Sequence, residues 1–382
     1  MGRLTAVPVL VTGGYVTVAA SGGAGPGHRD PMAMFTMLLM IGITDNKCAH
    51  KAESKVLVTG ASGYVASHLV KQLQEAGHQV RGTVRSLRNT DKMKHLYDLC
   101  PNAAHKLELV EADLLDAESW TPAVEGMTHV MHVASPLPMK PPANEEEVIK
   151  PAVEGTLSVL RACAKSHTVK RVVFTSAGFV VGLNPASSGN PRTEADWADV
   201  AKLEGYSKSK YLAERAAWDF VKELPDGEKF ELSVIIPCAV LGPPLHNSPF
   251  ASMGIVQKIL SREMPAVPKM NLPMIDVRDV AQAHVRAMTL PEAAGNRFIC
   301  YTDSIWMSEI AALLKFVFEP QVVNRLDNTK MREVLKIQPR DIRDTIIDTA
   351  YGLIEKGFVA KTSDYRGPGG PEERQRYREL RL

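Results

Sequence analysis

Lys55-Val56-Leu57-Val58-Thr59-Gly60-Ala61-Ser62-Gly63-Tyr64-Val65-Ala66 is the stretch on which the fold turns. A β-branched run ends in a turn of small residues and an amphipathic pattern begins at Tyr64, the strand–loop–helix context in which glycines can hold phosphate. Gly60 would permit the tight turn, Gly63 the approach of backbone to a pyrophosphate, and small Ala66 close helix–strand packing. The helix N-terminus would add amide donors and the positive end of its dipole, so Gly60, Ala61, Ser62, Gly63, Tyr64, Val65 and Ala66 are candidate cofactor contacts. Two glycines and an alanine also suit an ordinary tight βα turn, so the surrounding chain has to decide between the two.

Outward from that loop, Lys55–Thr59, Gln79–Val84, Leu107–Glu111, His129–Val133, Arg171–Thr175 and Leu232–Ile236 read as strands. Amphipathic stretches at Tyr64–Ala76, Val148–Ser166 and Ser207–Lys222 lie between them. The alternation predicts an α/β fold with a Rossmann-type, doubly wound parallel sheet. After Pro237 the rhythm breaks into loops rich in proline (Pro243, Pro244, Pro265, Pro268, Pro273), followed by helices at Met307–Phe318 and Arg340–Lys356. Four regions result: an N-terminal extension over 1–53, a dinucleotide-binding domain over 54–240, a smaller substrate-binding lobe over 241–360 with the chain returning to the sheet around 274–300, and a charged tail over 361–382. The extension holds a Gly/Ala/Ser-rich stretch from Ala19 to Gly27 and no sustained period, so it reads as poorly ordered. Val9-Leu10-Val11-Thr12-Gly13-Gly14 echoes the later loop, but no amphipathic helix follows it.

The end of the second strand helps to choose the cofactor. An Asp or Glu there would accept ribose hydroxyls and repel a 2′-phosphate, but the chain reads Gly82-Thr83-Val84-Arg85-Ser86. Arg85 could fork onto a phosphate and Lys92 could reach the same charge, which favours NADP over NAD. A solvated surface arginine is the alternative for Arg85.

Tyr206-Ser207-Lys208-Ser209-Lys210 places a phenol and an ammonium four residues apart, on one face of a helix. A lysine cation there would stabilise the phenolate and lower the tyrosine pKa, letting Tyr206 exchange a proton as a hydride moves. The same spacing is common on exposed helices, so its position after the fifth strand carries the weight. That strand ends Phe174-Thr175-Ser176, at the edge where such sheets bind ligands, and Ser176 could there hydrogen-bond a substrate oxygen or be satisfied by backbone.

The bulk numbers are permissive. In 382 residues, 45% hydrophobic and 23% charged, 45 Lys and Arg against 43 Asp and Glu leave a net charge of +2. Nothing there calls for nucleic acid or an anionic membrane as partner. Cys48, Cys100, Cys163, Cys238 and Cys300 form no CxxC pair, which suits a reducing compartment and gives no metal signature. The longest apolar run, 32–43, is about half the roughly 20 residues of a membrane-spanning helix. A cytoplasmic protein acting on small molecules as monomer or homodimer is the expectation.

TGASGYVA at 59–66, TVR at 83–85, ADL at 112–114, HVASP at 132–136, VVFTSAG at 172–178 and YSKSK at 206–210, taken in order, resemble the extended short-chain dehydrogenase/reductases. They are similar in particular to the dihydroflavonol reductase-like branch, which also contains cinnamoyl-CoA and ketone or aldehyde reductases. The likeness runs from about Lys55 to Val359 and takes in 146–163, 235–244 and 274–284. It implies that Asp113 and Leu114 meet the adenine, that Val133, Ala134 and Ser135 line the middle of the cofactor, and that Pro237, Cys238, Ala239 and Val240 flank the nicotinamide with Ser252. It also implies that Tyr206 donates the proton and that Lys210 binds the nicotinamide ribose.

Two departures stand out. Relatives commonly carry Thr-Ser-Ser with the second serine catalytic, whereas this chain reads Thr175-Ser176-Ala177. An ungapped alignment puts Ala177 in the catalytic place and turns Ser176 to the other side of the strand; a one-residue deletion restores Ser176, which is the residue expected here. The asparagine that flavonoid-reducing members carry downstream is replaced by Phe179-Val180-Val181-Gly182, which argues against a dihydroflavonol substrate. The leading expectation is an NADP(H)-dependent oxidoreductase on CH–OH groups. A cofactor-binding sensor with impaired catalysis and a nucleotide-sugar epimerase or dehydratase are the alternatives.

Overall fold

The computed structural model describes residues 10–12, 15–17, 54–88, 90–136, 144–182, 191–247, 252–261, 263–264, 266–314, 326–361, 365 and 367. The chain divides into two compact units, Met1–Ala52 and Glu53–Leu382. In the first, Leu10–Thr12 and Tyr15–Thr17 pair as a short antiparallel hairpin. The echo of the glycine loop at Val11-Thr12 is therefore part of a hairpin, not of a strand–loop–helix unit.

In the second unit, seven parallel strands form one sheet: β1 (Lys55–Val58), β2 (Gln79–Val84), β3 (Glu108–Glu111), β4 (His129–His132), β5 (Arg171–Thr175), β6 (Glu231–Pro237) and β9 (Arg297–Cys300). Their spatial order, β3-β2-β1-β4-β5-β6-β9, reverses direction between β1 and β4, the switch point at which such sheets open a crevice for ligands. The helices are α1 (Tyr64–Glu75), α2 (Thr90–Tyr97), α3 (Trp120–Val124), α4 (Glu146–Ser166), α5 (Gly205–Glu223), α6 (Gly254–Leu260), α7 (Val277–Thr289), α8 (Met307–Leu313), α9 (Thr329–Glu333) and α10 (Ile342–Glu355). No helix among the described residues is long and apolar enough to cross a membrane.

Strand periodicity explains the layering. Val56, Val58, Val173 and Ile235 point into one core with Leu69 of α1 and Val280 of α7. Their neighbours Leu57, Val172, Phe174, Val234 and Ile236 point into another with Val159 of α4 and Ala213 of α5. Both faces being covered, the strands read as near-continuous apolar runs.

Past β6 the chain builds a second sheet of β7 (Ala239–Leu241), β8 (Asn271–Asp276) and β10 (Asp303–Trp306), in the order β10-β8-β7. The sequence reading leaves β8 among the proline-rich loops. Pro273 is tolerated because pairing with β7 begins only at Met274, so the missing N–H costs no bond on that side. Gly242 follows β7 with φ +132°, and a Cβ there would stand 2.8 Å from Val277 Cγ1.

Candidate active site

The glycine loop is fitted to its neighbours. Gly60 has φ +66°, and a Cβ on it would stand 3.2 Å from the Ala134 Cβ, so a side chain would fill the gap between the loop and the end of β4. The Gly60 amide donates to Thr83 Oγ1 at 2.9 Å, and the Ala61 amide to the Thr83 carbonyl at 2.9 Å. Gly82 on β2 has no room for a Cβ, which would meet that of Ala61 at 2.6 Å. Gly63 then caps α1 in extended conformation, with no side-chain cap and no acidic residue in the first turn to compete with an anion. Ala66 is wholly buried. These residues suit a dinucleotide pyrophosphate.

The other predicted contacts are spread over several elements. Val133 and Ala134 each donate their amide to Thr59 Oγ1, at 3.0 and 2.9 Å, and Ser135 follows them partly buried. Asp113 Oδ1 accepts from the Leu115 amide at 2.9 Å, a local turn, and Leu114 packs on Gly155 of α4, where a Cβ would come within 2.8 Å of its own. Arg85 is exposed at the end of β2, while the Lys92 side chain lies outside the described residues. Pro237 ends β6, Cys238 is buried with its amide donating to the Cys300 carbonyl at 3.1 Å, and Ala239 and Val240 begin β7. Burial pushes the Cys238 thiol up, which makes it inert. Ser252 is partly buried ahead of α6. Tyr64 turns its side chain inward: the hydroxyl donates to the Gly242 carbonyl at 2.7 Å and ties α1 to the turn after β7.

Tyr206 and Lys210 lie in the first two turns of α5. Glu204 caps this helix through a reciprocal box with Ser207, and Gly205 takes φ +50°. Glu145, at the start of α4, accepts from the Gly205 amide at 2.9 Å and from the Lys208 ammonium at 2.8 Å. Those two donors hold its carboxyl below the ordinary value. Lys210 is buried, and its Nζ donates to the Thr175 carbonyl at 2.7 Å and lies 5.5 Å from the Phe174 ring centre. Desolvation pulls the Lys210 pKa down to about 8, opposed by Glu214 one turn further on. Burial pushes the Tyr206 phenol up to about 12. The expected lowering of the phenol by Lys210 is therefore corrected: the ammonium is engaged with the strand carbonyl, and desolvation decides the direction.

Ser176, the serine expected to meet the substrate oxygen, is engaged inside the protein. Its hydroxyl, in a residue 2% exposed, donates to Glu214 Oε2 in the interior. Glu214 Oε1 in turn accepts from Arg297 Nε at 2.6 Å and Trp218 Nε1 at 3.3 Å. Thr175, one residue back, points to the opposite face, where its hydroxyl meets His284 Nε2 at 2.7 Å. A serine has one proton to donate, and here it goes to a buried carboxylate. In the region after β7, Met253 belongs to the core and His246 is buried against His95, their ring centres 4.0 Å apart. Thr59, Thr83, Glu145 and Glu214 carry the site's internal bonds, and their partners could not be read in sequence, because threonine and glutamate in helical or strand patterns give no local signal of their partners.

The family model for the NAD-dependent epimerase/dehydratase family matches residues 56–300, and the chain belongs to that family. Among its relatives, tetraketide alpha-pyrone reductase 1 of Arabidopsis thaliana is 34% identical over 328 residues, covering 81% of this chain and 98% of that reductase. The bifunctional dihydroflavonol 4-reductase/flavanone 4-reductase of Malus domestica is 37% identical over 328 residues, 82% of this chain and 91% of the relative. Gre2 of Candida albicans, solved in complex with NADPH, superimposes with a TM-score of 0.72 at 28% identity over 80% of this chain and 99% of Gre2.

Proposed function

We propose that the chain is an NADPH-dependent reductase that converts a ketone or aldehyde of a small molecule into the alcohol, with Tyr206 as proton donor. The observation that carries this reading is a buried Lys210 ammonium pinned to the last carbonyl of β5, one turn beyond the Tyr206 phenol. The left-handed Gly60, the uncapped start of α1 and the absence of a carboxylate at the end of β2 support a dinucleotide with a 2′-phosphate, held by residues 60–66, Arg85 and Lys92. NADPH, when bound, supplies the hydride. A phenol with pKa about 12 stays protonated at neutral pH, the state in which Tyr206 can give its proton to the carbonyl oxygen as that oxygen gains charge. Lys210 keeps a cation beside that oxygen, and a pKa of about 8 leaves it mostly charged at pH 7. With Ser176 committed to Glu214, the Tyr206 hydroxyl is the one left to meet the substrate oxygen.

Loss of nicotinamide absorbance with NADPH and a panel of aliphatic and aromatic carbonyls tests the reading, and Tyr206→Phe is expected to abolish it. The commitment of Ser176, with Ala177 beside it, favours a second reading: a protein that binds NADPH and turns over poorly. NADPH binding with no turnover of any carbonyl, and no gain on Ala177→Ser, would select it.

A further inference from the structure

Thr59 ends the first strand and begins the glycine loop. Its Oγ1 accepts from two amides, those of Val133 and Ala134, at 3.0 and 2.9 Å. A hydroxyl oxygen has two lone pairs and one proton, so with both pairs taken the proton must serve the third neighbour, His132 Nδ1 at 3.1 Å. Nδ1 is then an acceptor, and the ring of a neutral histidine carries its proton on Nε2, which meets Thr156 Oγ1 of α4 at 3.3 Å. Donor counting thus fixes the tautomer. The imidazole is buried against Phe174, and burial with the nearby Lys210 cation pushes its pKa down to about 3, so the ring is neutral at pH 7.

We propose that His132 is a positioning residue for the dinucleotide cradle, directing the Thr59 hydroxyl so that it gathers the Val133 and Ala134 amides and holds Ala134 against Gly60. The geometry makes this consequential: the two arms of the crevice, the β1–α1 loop and the end of β4, approach closely between Gly60 and Ala134, and Thr59, next to Gly60 in the chain, bonds both Val133 and Ala134 on the other arm. Rotating the hydroxyl away from Nδ1 would turn its proton toward one of the two amide N–H groups, break that hydrogen bond and let the β4 end drift from the loop. The proposal rests on the reading that this cradle holds NADPH.

His132→Leu removes both ring contacts, whereas His132→Asn keeps an acceptor near the position of Nδ1. Titration of the full chain with NADPH, followed by nucleotide fluorescence, should show a dissociation constant about tenfold higher for His132→Leu, the loss expected of one buried hydrogen bond. His132→Asn should recover most of it, and kcat at saturating NADPH should fall less than affinity does. Thr156→Val, which removes only the outer acceptor, is the second variant should His132→Leu fail to fold, with a rise of about threefold expected. Variants that bind NADPH as wild type does, or a His132→Leu whose affinity loss is not recovered by Asn, overturn the positioning role alone. A folded wild-type chain that binds no NADPH overturns the underlying reading and this role with it.

Discussion

Two helices of this sheet begin with a buried or half-buried tyrosine, and their surroundings set the two apart. At the start of α1, Tyr64 gives its hydroxyl to the Gly242 carbonyl at 2.7 Å, and its phenol is pushed well up by burial and by Asp276. At the start of α5, Tyr206 is pushed up by burial to about 12, yet its hydroxyl makes no hydrogen bond among the described residues. Burial raises both phenols, so a raised pKa does not by itself distinguish structure from chemistry. What distinguishes them is whether the chain itself uses the proton.

The largest effect should separate the two tyrosines. Tyr206→Phe is expected to cost about 10²–10⁴-fold in turnover with the melting temperature close to wild type. Tyr64→Phe should cost about 1–3 kcal/mol of stability, read by denaturant unfolding, because it leaves the Gly242 carbonyl without its donor, and should keep turnover. Matching kinetic losses in both variants would break the distinction. Gly60→Ala should come next: an L side chain at φ +66°, 3.2 Å from Ala134, costs about 1–2 kcal/mol locally and should weaken NADPH binding by about tenfold in a titration.

Ser176 sharpens the same contrast, since its hydroxyl is used by the chain as that of Tyr64 is. Ser176→Ala should lower stability by about 1.5–3 kcal/mol, the cost of a hydrogen bond to a charged group, while kcat stays within a few-fold of wild type. A kcat collapse without loss of stability would return Ser176 to the reaction. The pH dependence of stability turns on Lys210. Its folded pKa of about 8 lies below the ordinary 10.5, so between those values the unfolded chain binds more protons than the folded one and stability rises with pH. Below about pH 8 the buried ammonium is charged in both states and its desolvation is paid in full. Lys210→Met should flatten the rise in unfolding free energy across that window, and an unchanged slope would show the ammonium to be better solvated than its burial suggests.

Much of the site could be read directly. The six strands of the first part and the helices carrying Tyr64, Tyr206 and Lys210 follow from period and turn chemistry, and the observed bounds differ from the expected ones by at most two residues. β9 lies where the chain was expected to return to the sheet, but β7, β8 and β10 were not read as strands, because three to six residues, one of them Pro273, give too short a pattern to outweigh the prolines around them. The partner of the Ser176 hydroxyl and the direction of the Tyr206 pKa could not be read from the sequence for one reason. Each depends on a partner far along the chain or on exclusion of water, and neither Glu214 nor the depth of α5 is marked in the local pattern.

The order of small, β-branched and amphipathic stretches determined by itself that this chain winds a parallel sheet around a glycine loop and sets a phenol and a lysine one turn apart, because those are short-range consequences of backbone freedom and periodicity. Tertiary structure alone decided which hydroxyls remain available. Hydrogen bonds such as Ser176 to Glu214, Tyr64 to Gly242 and Thr59 to His132 join residues 38, 178 and 73 positions apart, and only packing brings such partners within reach and strips them of water.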